Sequence, residues 1–283
     1  MKRSVEVFEN NVSLSGLAEM HPPIAYSLAH KDCELYLVTP WKEKGTQGGQ
    51  YPLIFFIQGS SWKHPNVWRE LGQLAMYVQR GYTVASVVHR NTLDGFAFPT
   101  YLEDCKCALR YLRAHAAECN VDPARVCVWG TSSGGNTALL MGLTGDDAHF
   151  KTAEYANESD AAQLIIDCFG PTDIPGFIDI GNPLAMKNDL LRNLVGAGDP
   201  MTVGREMSPV NHVEVGKAYP PFMLIHGDAD PVVPYDQSVK MAEKLDAAGA
   251  DVTLIRVAGG VHEGNFWSDR LHARILRFIQ ENL

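Results

Sequence analysis

The stretch Arg125 to Asn136 reads RVCVWGTSSGGN. Its first half is a short run of β-prone residues, its second opens a helical stretch from Gly134 to Leu143, and Ser132 falls on the turn between them. A nucleophile held on so sharp a strand-to-helix turn collides with any bulky neighbour two positions away, and glycine removes the side chain that would collide. Gly130 and Gly134 flank Ser132 at that spacing. The G-x-S-x-G pattern in this setting makes Ser132 the candidate nucleophile at the end of a sheet strand.

On both sides of this turn, short β-prone runs alternate with longer stretches of helical period. Strands are predicted at Cys33–Thr39, Leu53–Gln58, Thr83–His89, Val126–Trp129, Leu164–Phe169, Phe222–His226 and Thr253–Val257. Helices are predicted at Asn66–Arg80, Tyr101–Glu118, Gly134–Leu143, Asp236–Ala248 and Ser268–Glu281. The alternation predicts an α/β fold, a mostly parallel central sheet with helices on both faces. In the helix from Tyr101, Leu102, Cys105, Leu109 and Leu112 recur at three and four and mark a face to be buried on the sheet. Residues 170–219 are rich in Gly and Pro and hold one short helical piece, Asp189–Val195, so they read as a small cap-like insertion. No repeat or linker divides the chain, and residues 1–283 are expected to form a single domain.

A serine hydroxyl needs a base within hydrogen-bond reach, and the base needs a carboxylate to orient it. FMLIHGDADPVVP, residues 222–234, is a strand followed by a turn with two aspartates, and VTLIRVAGGVH, residues 252–262, is the last strand, a glycine pair and a histidine. His262 follows the last strand in the loop where a base belongs, whereas His226, His89 and His64 are competitors among ten histidines. Asp230 is the candidate acid. Its rival Asp228 is expected to bond nearby backbone in the turn.

Composition narrows the remaining classes. With 46% apolar and 20% charged residues, 25 Gly and 16 Pro, the chain is neither disordered nor fibrous. A net charge of −9 without a basic cluster leaves nothing for a phosphate backbone to bind, so no nucleic-acid partner is expected. The longest apolar runs, such as residues 52–57, fall far short of the ~20 residues a spanning helix needs, and no membrane association is expected. The first residues, MKRSVEVFENNVSLSG, lack the apolar run of a signal peptide, which gives a cytoplasmic location as the expectation. Cys33, Cys105, Cys107, Cys119, Cys127 and Cys168 show no metal-ligand spacing and are expected to be buried free thiols.

With GTSSG at 130–134, HGDADPVVP at 226–234 and Gly259-Gly260-Val261-His262, the chain resembles the α/β-hydrolase family from about Leu35 onward. The segment EDCKCALRYLRAHAAECNVDPARVCVWGTSSGGN is similar to the esterase branch related to hormone-sensitive lipase and to bacterial acetylxylan and feruloyl esterases. That resemblance implies Ser132 as nucleophile, Asp230 as acid and His262 as base, in the chain order of that fold. Where the branch often carries H-G-G-G-W, this chain has Gln58-Gly59-Ser60-Ser61-Trp62. The backbone amide of Ser60 or Ser61, with that of Ser133, is therefore the expected oxyanion hole. This variant loop resembles certain sugar-ester hydrolases of gut bacteria.

The resemblance implies a serine carboxylesterase acting on short acyl esters, with a small molecule or an oligosaccharide ester as substrate and with no metal or organic cofactor. Trp62 is expected to offer a flat indole face to an acyl group or sugar ring. Trp68, Phe96, Phe98 and Trp267 are expected near the same end of the sheet as rim or core. Met186, Met201 and Met207 either line an acyl pocket or fill the cap. The alternatives are an exopeptidase of the prolyl-peptidase type, which shares the Ser, Asp, His order, and a non-catalytic ligand-binding protein on a hydrolase fold. The chain shows no sign of the large extra domain of the first, and it keeps the triad member that the second typically loses. Oligomeric state is not legible in the sequence.

Overall fold

The computed structural model describes residues 5–42, 49–181 and 188–283. The strands are β1 (Ala18–Met20), β2 (Ile24–Ala25), β3 (Glu34–Pro40), β4 (Tyr51–Ile57), β5 (Thr83–Val87), β6 (Val121–Thr131), β7 (Leu164–Cys168), β8 (Phe222–Gly227) and β9 (Val252–Val257). They form one sheet in the order β1-β3-β5-β4-β6-β7-β8-β9, with β2 also paired to β3. β3 runs antiparallel to β1, β2 and β5, and every pair from β5 to β9 is parallel. This mixed sheet, helix-covered on both faces, is the α/β-hydrolase architecture.

The longer helices are α1 (Trp68–Val78), α2 (Thr100–Ala114), α3 (Ser133–Leu143), α7 (Asp236–Ala247) and α8 (Asp269–Asn282). Among the described residues between β7 and β8 lie three short ones, α4 (Ile174–Phe177), α5 (Asp189–Val195) and α6 (Pro200–Glu206). Alternation along the strands builds two cores. Leu53, Phe55 and Ile57 face one core with α2, α3 and α7, whereas Ile54 and Phe56 face the other with α1 and α8. The α2 stripe Leu102, Cys105, Leu109 and Leu112 is fully buried; each of its leucines contributes about 1.5–3 kcal/mol. All six thiols are free and buried.

α3 lies so close to the sheet that almost every residue in it is buried. Its small residues permit this, since a Cβ on Gly142 would come 2.5 Å from Cγ1 of Ile165. On α2, Lys106 and Arg110 share Asp160 at 2.7 and 2.8 Å, with all three side chains removed from water. That triad pins the loop before β7 to the helix, and one carboxylate compensates two buried cations.

Candidate active site

Parallel register brings the ends of the central strands together. Ile57 pairs with Gly130 and Thr131 with Cys168, so Gln58, Ser132 and Phe169 leave the sheet side by side. Ser132 adopts φ 52°, ψ −122° at the start of α3. A Cβ on Gly130 would sit 1.9 Å from the Gly134 carbonyl oxygen, and one on Gly134 would sit 2.0 Å from that of Ile57. Only glycine fits at either position, and the clash it avoids is with these backbone carbonyls rather than with the serine itself. The Ser132 amide donates to Cys168 O at 2.8 Å and fixes the turn.

His262 Nε2 lies 3.0 Å from Ser132 Oγ, and its Nδ1 lies 2.7 Å from Asp230 Oδ2. With Nδ1–H donating to the carboxylate, Nε2 presents a lone pair to the serine hydroxyl. Burial opposes ionisation of Asp230, but hydrogen bonds from His226, His262 and the amides of Val233 and Val232 outweigh it and hold the carboxyl well below its usual range. Asp228 instead accepts the Gly259 amide at 2.6 Å and faces Arg256 at 3.5 Å. His226 is fully buried, bonded to Ser238 Oγ at 2.7 Å and Val233 O at 2.9 Å. His89 and His64 lie in the loops after β5 and β4 and make no bond to Ser132.

Beside the nucleophile, the Ser60 amide donates to Ser133 Oγ at 2.9 Å. The amides of Ser61 and Ser133 have no acceptor among the described residues. Ser133 opens α3, so its amide also carries the positive end of the helix dipole. Gln58 staples this loop from within: its Nε2 donates to Gly59 O at 2.5 Å and its Oε1 accepts the Asn66 amide at 2.7 Å. Beneath it Glu70 is buried and its carboxyl is pushed up to about 7, first by burial and then by Glu263, with Arg69 and Gln58 opposing.

The structure corrects the placement expected of Trp62. Its indole is 5% exposed and packs 6.2 Å from the Tyr101 ring. Left-handed backbone at Ser61 and Trp62 turns the side chain inward, and Thr92 binds the Trp62 carbonyl through its amide and hydroxyl, both at 3.1 Å. Trp62 therefore shapes the loop from the core. Phe98 is buried, Phe96 is half-buried, Trp68 is exposed, and Trp267 stacks on His272 at 5.1 Å. Met207 is fully buried and its carbonyl accepts from Asn136, so it fills the cap; Met201 is half-buried, and Met186 lies outside the described residues.

Three contributors escape the sequence reading. Phe169 packs its ring 4.6 Å from the His262 ring. Glu263, at φ 66°, pairs with Arg69 on α1 and anchors the histidine loop. Asn265 braces the same loop by accepting the Val261 amide at 2.9 Å and donating to Gly259 O at 3.2 Å. The position of Phe169, the last residue of the strand predicted at Leu164–Phe169, was the readable signal for the first; the other two are tertiary contacts with no local signature.

The sheet topology and this elbow together define an α/β-hydrolase with a serine at the nucleophile position. Residues 40–245 match the BD-FAE family model, and the chain belongs to that family. Among curated proteins it is similar to esterase LipC of Mycobacterium tuberculosis, 24% identical over 266 residues that cover 86% of this chain and 63% of LipC. The chain spans 45 to 63% of the length of LipC, LipM and LipQ from that organism. Among solved structures, a truncated carbohydrate esterase from gut microbiota superposes with a TM-score of 0.79 at 26% identity, covering 96% of this chain and 98% of its own. A bifunctional GH43-CE protein of Bacteroides eggerthii gives 0.78 at 27% identity, covering 95% of this chain and 38% of its own.

Proposed function

We propose that the protein is a serine carboxylesterase that hydrolyses short acyl esters of carbohydrates through an acyl-enzyme. The observation that carries this reading is the unbroken relay from Ser132 Oγ through His262 to Asp230, with two unengaged amides beside the nucleophile. Ser132 Oγ attacks the ester carbonyl while His262 Nε2 takes its proton, and Asp230 fixes the imidazole tautomer and balances its charge. The Ser61 and Ser133 amides receive the developing oxyanion, where each donor is worth about 2.7–4 kcal/mol. His262 then returns the proton to the leaving alcohol and activates the water that releases the acid.

A carbohydrate as the alcohol is supported by the likeness to the gut-microbiota carbohydrate esterase. A short acyl group is supported by the insertion, whose α-helices among the described residues have four, seven and seven residues. A lid that exchanges with a lipid surface needs a larger continuous amphipathic face. The test is a hydrolysis panel from acetyl to decanoyl esters beside acetylated and feruloylated sugars. The expected kcat/KM falls steeply beyond about butanoyl, since each further methylene gains little binding and must leave the pocket. Values that rise through octanoyl and decanoyl, with activation on emulsions, would instead identify a lipase.

A further inference from the structure

A cleft of about 230 Å³ opens at the same edge of the sheet, at the ends of β5 and β3 and beside the β4 loop that neighbours the nucleophile. Its walls are His64 from the loop after β4, residues 88–91, 94 and 96 after β5, and residues 29–32 before β3. The loop after β4 ties it to the catalytic centre. A Cβ on Gly59 would come 2.8 Å from that of Ser132, so this loop starts in contact with the nucleophile. Ser60 and Lys63 then close a tight turn, through Lys63 N to Ser60 O at 3.1 Å and Ser60 Oγ to Lys63 O at 2.7 Å. The ends of such a turn lie within about 7 Å, which places His64 within about 11 Å of Ser60. That reach suits a ring attached through an ester oxygen to a carbonyl at Ser132.

The cleft's hydrogen-bonding groups are of both kinds. His64 Nδ1 faces Pro65 O at 3.1 Å and His89 Nδ1 faces Arg90 O at 2.8 Å. Carbonyls only accept, so in the neutral imidazoles both Nδ1 atoms carry the proton and both Nε2 atoms are left as acceptors. Arg90 is fixed in place by Asp104, through Nε at 3.1 and 3.0 Å and Nη2 at 2.6 Å, and Nη1 donates to His30 Nε2 at 3.0 Å. Three of its five N–H groups are thereby used, and one on each terminal nitrogen remains. Hydroxyl groups, which donate and accept together, match such a mixed wall. Charge decides between sugars: Asp104 neutralises Arg90, Lys31 and Asp32 oppose each other on the rim, and Asp94 adds a negative charge. An anionic ring finds no uncompensated cation there.

We propose that this cleft is the subsite for the sugar that bears the scissile ester, and that it takes a neutral ring through its hydroxyls. This inference rests on the carbohydrate-ester reading above. The test compares kcat/KM on a monoacetylated methyl xyloside with that on cyclohexyl acetate, a ring of similar size without hydroxyls. The comparison is made for the native protein, His64→Ala and Ala29→Trp, the last filling the cleft mouth. The ratio of the two values within one preparation is unaffected by any misfolded fraction. The native protein should favour the xyloside by about tenfold or more, and both variants should lose most of that preference. A native preference that both variants retain within about twofold would overturn the subsite and leave the carbohydrate reading standing. A native protein without any preference would overturn the carbohydrate reading, and the subsite with it. A monoacetylated methyl glucuronide hydrolysed better than the xyloside would overturn the neutral-ring assignment.

Discussion

Replacing Asp230 with Asn alters one atom at the point where the relay is held. Oδ1 accepts the Val232 and Val233 amides at 2.7 and 3.0 Å, and an asparagine oxygen keeps both bonds. Its amide nitrogen then faces His262 Nδ1 across the 2.7 Å contact, and two donors there are incompatible. The imidazole must move its proton to Nε2, the nitrogen 3.0 Å from Ser132 Oγ, and loses its capacity as a base. The expected fall in kcat is about 10⁴-fold, or about 5.4 kcal/mol of activation free energy. Asp228→Asn is the internal control. Its oxygen can still accept the Gly259 amide, and the contact it gives up is with an Arg256 side chain 62% exposed. An exposed pair of that kind is worth at most about 1 kcal/mol, so kcat should change by no more than about fivefold. Initial rates on 4-nitrophenyl acetate, with melting temperatures alongside, measure both. Equal losses from the two variants, or a larger loss from Asp228→Asn, would refute the assignment.

Other perturbations reach the supporting structure. Gln58→Ala removes both ends of the staple across the oxyanion loop; steady-state kinetics should show kcat down by about 10²-fold with KM little changed, because the donors are lost mainly to the transition state. Burial under the elbow pushes the Asp167 carboxyl up to about 7, with His226 and the Gly170 amide opposing. Its proton is held in the folded state after the unfolded chain has lost it, so stability falls as pH rises from about 4 to about 7 and is level above. Denaturant titrations should show Asp167→Asn removing about 3 kcal/mol of the native protein's loss between roughly pH 5 and pH 8. Asp160→Asn leaves Lys106 and Arg110 buried without their shared anion, and calorimetry should record a destabilisation of about 3–5 kcal/mol.

What could be read from the sequence is what local spacing encodes. The elbow glycines, the α2 stripe and the short helix Asp189–Val195 each rest on a pattern within a few residues, and the same patterns placed Ser132, Asp230 and His262 at strand ends. β1 and β2, with three and two residues, are too short to carry an alternation. β6 begins at Val121, five residues before its β-branched run, because Tyr51 and Pro52 pair with Val121 and Asp122 across a register shift. α6 was legible and missed: Asp199 accepts the Thr202 amide as N-cap and Pro200 follows at the first helical position. Trp62 went astray because its side-chain direction depends on two consecutive left-handed residues, a conformation that Ser and Trp do not advertise. The pairing of Ser60 with Ser133 Oγ likewise needs the loop and the elbow brought together in space.

The account's central claim is that Ser132 is a nucleophile activated by His262, and reaction with a fluorophosphonate tests it most directly. Intact-protein mass spectrometry should show one phosphonyl adduct per chain, mapped to Ser132 by peptide sequencing. The adduct should be absent from Ser132→Ala and should form several orders of magnitude more slowly in His262→Ala. A native protein that stays unlabelled, or a label that persists at full rate in Ser132→Ala, would contradict the claim.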